Sequence, residues 1–175
     1  MRYRLLSALH ANLGARDAVL ADARAPACTH FVCRGDVVGY NANPSECVQR
    51  IQELECPVVK GNHDEQASIV MSTEGFTELA EEAIGWTREN LSADDKAWPS
   101  DLPLTRQVRD FTIAHAPPHT PGPWGDGFTA PAPIPTVPPP HTALCFFGHT
   151  HWPTAFVRDD NVRRLTVGQI VLTAG

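Results

Sequence analysis

The chain of 175 residues is short of several things at once, and each shortage removes a class of protein. No apolar run approaches the roughly 20 residues that span a bilayer. The opening Met1-Arg2-Tyr3-Arg4-Leu5-Leu6-Ser7 has an apolar stretch below the roughly 7–15 residues of a secretory signal, so a cytoplasmic location is expected. Five cysteines, Cys28, Cys33, Cys47, Cys56 and Cys145, make an odd set without a Cys-x-x-Cys spacing. That pattern argues against a disulfide framework or a structural zinc site and for reduced thiols. Basic residues are outnumbered, 14 Lys and Arg against 20 Asp and Glu, for a formal net charge of −6. With no basic stripe carrying interleaved aromatics, binding to nucleic acid is disfavoured. Internal repeats and a dividing linker are also missing, so one domain over 1–175 is expected.

What is present is a globular composition, 42% hydrophobic and 19% charged. The N-terminal half alternates short apolar runs with helical patterns. Tyr3 to Ser7 reads as a strand, and Asn12 caps a helix from Leu13 to about Arg24 with Leu13, Val19, Leu20 and Ala23 inward. Phe31-Val32-Cys33 is a second strand, followed by a helix after Asn43-Pro44 that buries Val48, Ile51 and Leu54. Pro57 to Lys60 reads as a third strand. A helix over residues 77 to 91 presents Leu79, Ala80, Ala83, Ile84 and Leu91, and Ser92 starts another short turn or helix. Phe111 to Ala114 and Ala143 to Phe147 are further strands, with short β segments at Ala155 to Arg158 and Gln169 to Leu172. Between them, ten of the chain's 16 prolines fall in residues 117–140, which reads as an irregular surface loop. Alternating strands and helices predict an α/β fold with a largely parallel sheet, whose ligands gather at the strands' carboxyl ends.

Polar clusters stand at the ends of five of these strands: Ala8-Leu9-His10, Gly35-Asp36, Gly61-Asn62-His63-Asp64, His115 and Gly148-His149-Thr150-His151. Each alone fits an ordinary polar turn. His149 and His151, two apart on an extended segment, share a face and suit either metal ligation or polar surface. Together, imidazoles, a carboxylate and an amide oxygen suit divalent Mn, Fe or Zn. Asp36 has two oxygens with which to bridge a pair of ions. Such a pair lowers the pKa of a bridging water and absorbs charge in displacement at phosphorus. His63 then sits outside the metal shell, donating a hydrogen bond to the phosphate or the leaving oxygen, with Asp64 orienting its ring.

At these blocks the chain resembles the calcineurin-like metallophosphoesterases, and most closely their small bacterial and archaeal phosphodiesterase branch. The family order Asp-x-His, Gly-Asp, Gly-Asn-His-Asp, His and Gly-His-x-His looks like residues 8–10, 35–36, 61–64, 115 and 148–151 here. Gly35-Asp36-Val37-Val38-Gly39-Tyr40 with Asn43-Pro44 extends the likeness, which covers roughly residues 1–116 and 142–158. The resemblance implies a four-layer αββα sandwich and two divalent ions, Mn first among them, with Fe, Ni or Zn as alternatives. One ion is implied at His10, Asp36 and His151, the other at Asp36, Asn62, His115 and His149, with His63 in the catalytic position. The implied activity is hydrolysis of a small phosphate ester, as a phosphodiesterase or phosphatase.

Three departures qualify that expectation. The family's first aspartate is Ala8 here, which has no ligating atom and weakens the first site. The Pro-rich loop differs from the family's segment, and its His119 and His141 are left out of the site. The family's Asn-x-Gly-Ser turn has only a faint echo at Gly168-Gln169, so a second sheet truncated at the C-terminus is expected, with an open edge prone to homo-oligomer formation. A catalytically silent scaffold that presents this fold to a partner protein is the alternative to an enzyme.

Overall fold

The computed structural model describes residues 1–23, 28–69, 72–117, 122, 124, 142–158 and 162–165. The chain starts as a βαβ unit. Strand β1 (Tyr3–Leu6) runs parallel to β2 (His30–Cys33) in the register Tyr3↔His30 to Leu6↔Cys33, with helix α1 (Leu13–Ala23) between them in sequence. Helix α2 (Pro44–Gln52) begins on Pro44, whose missing N–H costs nothing at a first helical position. The expected third strand is reduced to a parallel bridge between Cys33 and Val58. Cys33 N donates to the Pro57 carbonyl and Val59 N to that of Cys33, but Lys60 N turns away to the Pro103 carbonyl at 2.9 Å.

Three helices follow: α3 (Asn62–Ser68), α4 (Glu78–Asn90) and α5 (Ala93–Asp101). Side-chain caps set the last two. Thr77 Oγ1 accepts from Ala80 N at 3.3 Å and Ser92 Oγ from Asp95 N at 3.0 Å. The second sheet has β3 (Thr105–Val108) antiparallel to β4 (Phe111–Ala114), and β5 (Leu144–Phe146) parallel to β4. A hairpin of β6 (Ala155–Arg158) and β7 (Val162–Leu165) comes last. β3, β7 and α3 were not legible as separate elements, and the expected strand Gln169 to Leu172 lies outside the described residues.

Alternation along β1 and β2 sorts their side chains onto two faces. Leu6 and Cys33 join Leu20, Val48, Ile51, Val58 and Leu91 in a core beneath the helices. Val32, with Tyr3 and Leu5 beside it, packs instead on Val108, Phe111 and Ile113 of the second sheet. Tyr3 meets Phe111 edge-on at 5.0 Å between ring centroids. Helices, sheet and second sheet thus stack as expected for the α/β sandwich. Each sealed Val or Ile adds about 1.5–3 kcal/mol, and Ile51→Ala would open the helical core.

Two expected core positions are corrected. Val19 is 40% exposed and Leu79 is 67% exposed. Helix α1 turns Leu13, Arg16 and Leu20 inward, and Arg16 Nη2 donates to the Arg50 carbonyl at 2.8 Å. Helix α4 and its C-cap bury Ala80, Ile84, Thr87 and Leu91, a stripe of 3.6-residue period that leaves Leu79 outside.

Candidate metal centre

Residues that follow β1, β2, β4 and β5 converge with the first turn of α3. Left-handed backbone marks the convergence: φ is 51° at Ala8, 49° at His10, 53° at Asp36, 69° at His149 and 55° at His151. Non-glycine residues adopt this region at a cost of about 1 kcal/mol or more each, so the surrounding packing must hold them there. Two glycines make the approach feasible. A Cβ on Gly61 would lie 2.1 Å from Asp36 Oδ1, and one on Gly39 would lie 2.4 Å from His63 Nδ1.

Asp36 is at the centre, 2% exposed. Its Oδ1 accepts from His63 N at 3.0 Å. Its Oδ2 lies 3.2 Å from His115 Nε2 and 3.6 Å from His10 Nε2. Both imidazoles are anchored from behind. His115 Nδ1 donates to the Arg34 carbonyl at 2.7 Å, and His10 Nδ1 lies 3.3 Å from the Val38 carbonyl. A neutral ring that donates through Nδ1 presents a lone pair at Nε2, and a protonated one a second N–H.

Nε2 of each ring faces further acceptors. His115 Nε2 is 3.1 Å from Asn62 Oδ1, which is also 3.0 Å from His149 Nδ1. His10 Nε2 is 3.3 Å from His151 Nε2. Nitrogen against nitrogen and nitrogen against carboxylate repel unless a proton or a cation lies between them. The ligand atoms of His10, Asp36 and His151 all fall within 4.8 Å of one another. This donor set, mixed N and O around one carboxylate, fits borderline divalent metal ions.

The electrostatics point the same way. Full burial alone raises the Asp36 carboxyl, yet the charges and hydrogen bond of His115, with His63 and His10, hold it well below the usual carboxylate range. Burial lowers His115, but Asp36 outweighs it and raises that ring overall. At His10 and His149 burial prevails and lowers the pKa.

The structure thus brings His10, Asp36 and His151 together, and Asn62, His115 and His149 beside them. His149 and His151 do so without sharing the face of an extended segment. Their left-handed backbone sends one to each group. His63 stands apart from these contacts, its ring 4.7 Å from His10 and 4.6 Å from Tyr40 by centroids. Burial pushes its pKa down to about 4. Its Nδ1 is sealed without a partner.

Asp64 does not orient the His63 ring. Its Oδ2 takes the amides of Asp36 and Gly61 at 2.8 and 3.0 Å, and its Oδ1 those of Val37 and Val38 at 2.8 and 3.2 Å. Burial and the Asp36 charge push it up to about 6, against four donors that favour its anion. Ala8 contributes only its amide, bonded to the Gly35 carbonyl at 3.1 Å.

Sequence reasoning missed Tyr40 and Phe76, whose rings flank His63 at 4.6 and 5.4 Å. Phe76 does not follow a strand, and Tyr40, though within the stretch that extends the likeness after Gly35-Asp36, carries no expected role there. Trp124, within the Pro-rich stretch, donates from Nε1 to Glu65 at 3.0 Å and meets His115 at 5.9 Å. Residues 118–121, 123 and 125–141, with His119 and His141, lie outside the described residues.

A family model of the calcineurin-like phosphoesterase superfamily domain matches residues 1–174. Over 162 residues the chain is 32% identical to an uncharacterised protein of Methanocaldococcus jannaschii, covering 90% of this chain and 65% of that protein. The chain therefore spans just under two thirds of that relative. The crystal structure of a metallophosphoesterase from Sphaerobacter thermophilus is similar at a TM-score of 0.69 and 30% identity, over 97% of this chain and 70% of that one. A protein of Pyrococcus horikoshii OT3 shares the fold at a TM-score of 0.57 and 16% identity, over 67% and 55% of the two chains.

Proposed function

The chain belongs to the calcineurin-like phosphoesterase superfamily, and from that premise we propose that it hydrolyses a small phosphate ester with the help of two divalent metal ions, Mn2+ foremost. The observation that carries this reading is Asp36, whose Oδ2 faces His10 Nε2 and His115 Nε2 at 3.6 and 3.2 Å. His10, Asp36 and His151 would hold one ion, and Asp36, Asn62, His115 and His149 the other. Bound there, the ions supply Lewis acidity toward a phosphoryl oxygen and an acidified water.

The rest is the work of the chain's own residues. Asp36 keeps its negative charge, because its neighbours hold it ionised. The Arg34 and Val38 carbonyls fix the tautomers of His115 and His10, so that Nε2 of each stays free to ligate. His63, neutral at pH 7 with its pKa near 4, offers a ring N–H as a hydrogen-bond donor to the ester's leaving oxygen. Tyr40 and Phe76 hold that ring in place and exclude water from one side of it. Asp64 acts on the loop that carries Asp36 and takes no part at the reacting atoms.

A second reading has its own observation, Ala8, which lacks the oxygen that the family's first aspartate provides. On that reading the protein is a weakened or silent member that presents the fold to a partner. One experiment separates the two. The purified chain, reconstituted with Mn2+, is assayed on bis(p-nitrophenyl) phosphate and p-nitrophenyl phosphate, and its metal content is measured. Hydrolysis that is lost in chelator and falls at least about 100-fold in His63→Ala and Asp36→Ala supports the enzyme. Negligible bound metal after reconstitution, with no turnover, favours the scaffold.

A further inference from the structure

A cleft of about 830 Å3 runs from the end of β1 along β5 to β6, lined among others by Ala8, Arg34, His149 and His151. No acidic residue lines it among the described residues, although the whole chain carries a formal charge of −6. Arg34 supplies its one permanently charged side chain. That guanidinium is half-buried at the end of β2, where Nη1 donates to the Phe147 carbonyl. Nε is sealed from solvent without a partner, and no described carboxylate pairs with the group. A guanidinium kept largely out of water without a countercharge is costly, so an anion that reached it would be held.

Residue 8 is the other half of the observation. An aspartate there would place an anion on the same cleft that Arg34 lines. Alanine leaves this wall of the cleft without a carboxylate. Among the described residues Nη2 of Arg34 has no hydrogen-bond partner, and an unpaired guanidinium edge suits a phosphate or carboxylate oxygen.

We propose that Ala8 and Arg34 form an anion subsite, in which Arg34 takes negative charge of the substrate beyond the single charge of a simple diester. The substrate class is then a phosphate ester that carries more charge than a simple diester: a monoester dianion, a pyrophosphate-type ester or a phosphate ester bearing a carboxylate. The assignment to substrate rests on the phosphoesterase reading above. Anion binding itself does not require turnover.

The test uses the whole chain, stripped of metal by chelator and dialysed free of it, titrated with inorganic pyrophosphate by calorimetry. Saturable binding is expected, weakened by added NaCl, reduced about 10-fold or more in Arg34→Gln and partly retained in Arg34→Lys. Circular dichroism checks that both variants fold, and Arg34→Lys keeps the charge should Arg34→Gln fail to fold. Wild type and Arg34→Gln binding within about two-fold of each other, or no binding by wild type at millimolar pyrophosphate, overturns the subsite. In the Mn2+-loaded chain, Arg34→Lys raises KM for p-nitrophenyl phosphate more than for bis(p-nitrophenyl) phosphate. Equal effects on both esters overturn the assignment to substrate. Pyrophosphate binding through Arg34 without hydrolysis of either ester would remove the phosphoesterase reading, and with it the substrate class, while leaving an anion site.

Discussion

Asp64 Oδ2 accepts the amide hydrogen of Asp36 at 2.8 Å, so one buried acid positions the other. Asp64 also takes the amides of Val37, Val38 and Gly61, which ties the loop after β2 to the start of α3. In return Asp36 Oδ1 accepts His63 N, from that same helical turn. The two loops therefore hold each other's shape, and the proposed bridging carboxylate is aimed by a residue whose own oxygens are taken up by backbone amides.

Asp64→Asn should be strongly destabilising. Its Nδ2 would confront backbone N–H groups instead of accepting from them, and bonds to a charged acceptor are the stronger kind. A loss of about 3 kcal/mol in urea unfolding is expected, along with weaker Mn2+ binding by calorimetry. Unchanged stability would mean that the four amides find other acceptors.

The shape of this site was legible in part, and the dividing line is physical. Gly35-Asp36 and Gly61-Asn62-His63-Asp64 could be found because each glycine is where another backbone or carboxylate crowds in. The histidines could be found because they follow apolar runs. Asp64's true partners were hidden, since a carboxylate that accepts amides and one that orients an imidazole look alike in sequence. The left-handed turns at His149 and His151 were hidden too, because neither is a residue that requires φ above zero. Gly61-Asn62-His63-Asp64 reads as a polar cluster at a strand end, with no helix expected there. Helix α3 is seven residues long and polar on the face that carries the site, which leaves periodicity little to act on.

Single removals at the proposed centre should sort by group. His10→Ala and His151→Ala are expected to lower Mn2+ stoichiometry toward about one per chain, and so are Asn62→Ala and His149→Ala. Asp36→Ala should lower it toward zero, because this carboxylate faces both groups. Inductively coupled plasma spectrometry on dialysed protein reads the result. If Asp36→Ala retains as much metal as His10→Ala, the carboxylate is not shared.

His63 gives a pH dependence whose sign follows from burial. Its ordinary value of 6.5 falls to about 4 in the folded chain, so between these limits the unfolded chain binds the proton more readily. Its contribution to stability is thus complete above about 6.5 and is lost as pH falls through about 4. Asp64 works in the opposite sense, since its value rises from 3.8 to about 6 and its contribution is lost as pH rises through that range. The informative quantity is therefore the metal-free wild type against His63→Gln. From pH 7 to pH 4 the wild type should lose up to about 3 kcal/mol more than the variant in urea unfolding. Parallel curves would show that the ring is not desolvated.

Ala8→Asp tests the departure that most separates this chain from its family. Ala8 sits at φ 51°, a conformation that aspartate tolerates better than alanine, so the backbone should accept the change. In metal-free protein the new carboxylate adds an anion to a centre that already holds buried Asp36. Stability without metal should then be unchanged or slightly lower, because the relief of backbone strain and the repulsion between the two acids oppose each other. With Mn2+ the balance reverses. An added anionic oxygen beside His10 and His151 should tighten the weaker ion by about 10-fold or more and raise the thermal midpoint with metal concentration. Turnover should rise with occupancy at limiting Mn2+ and converge with the wild type at saturating Mn2+ if occupancy alone limits the reaction. Should Ala8→Asp leave Mn2+ affinity untouched, position 8 does not belong to the metal centre, and the likeness to the family ends at His10.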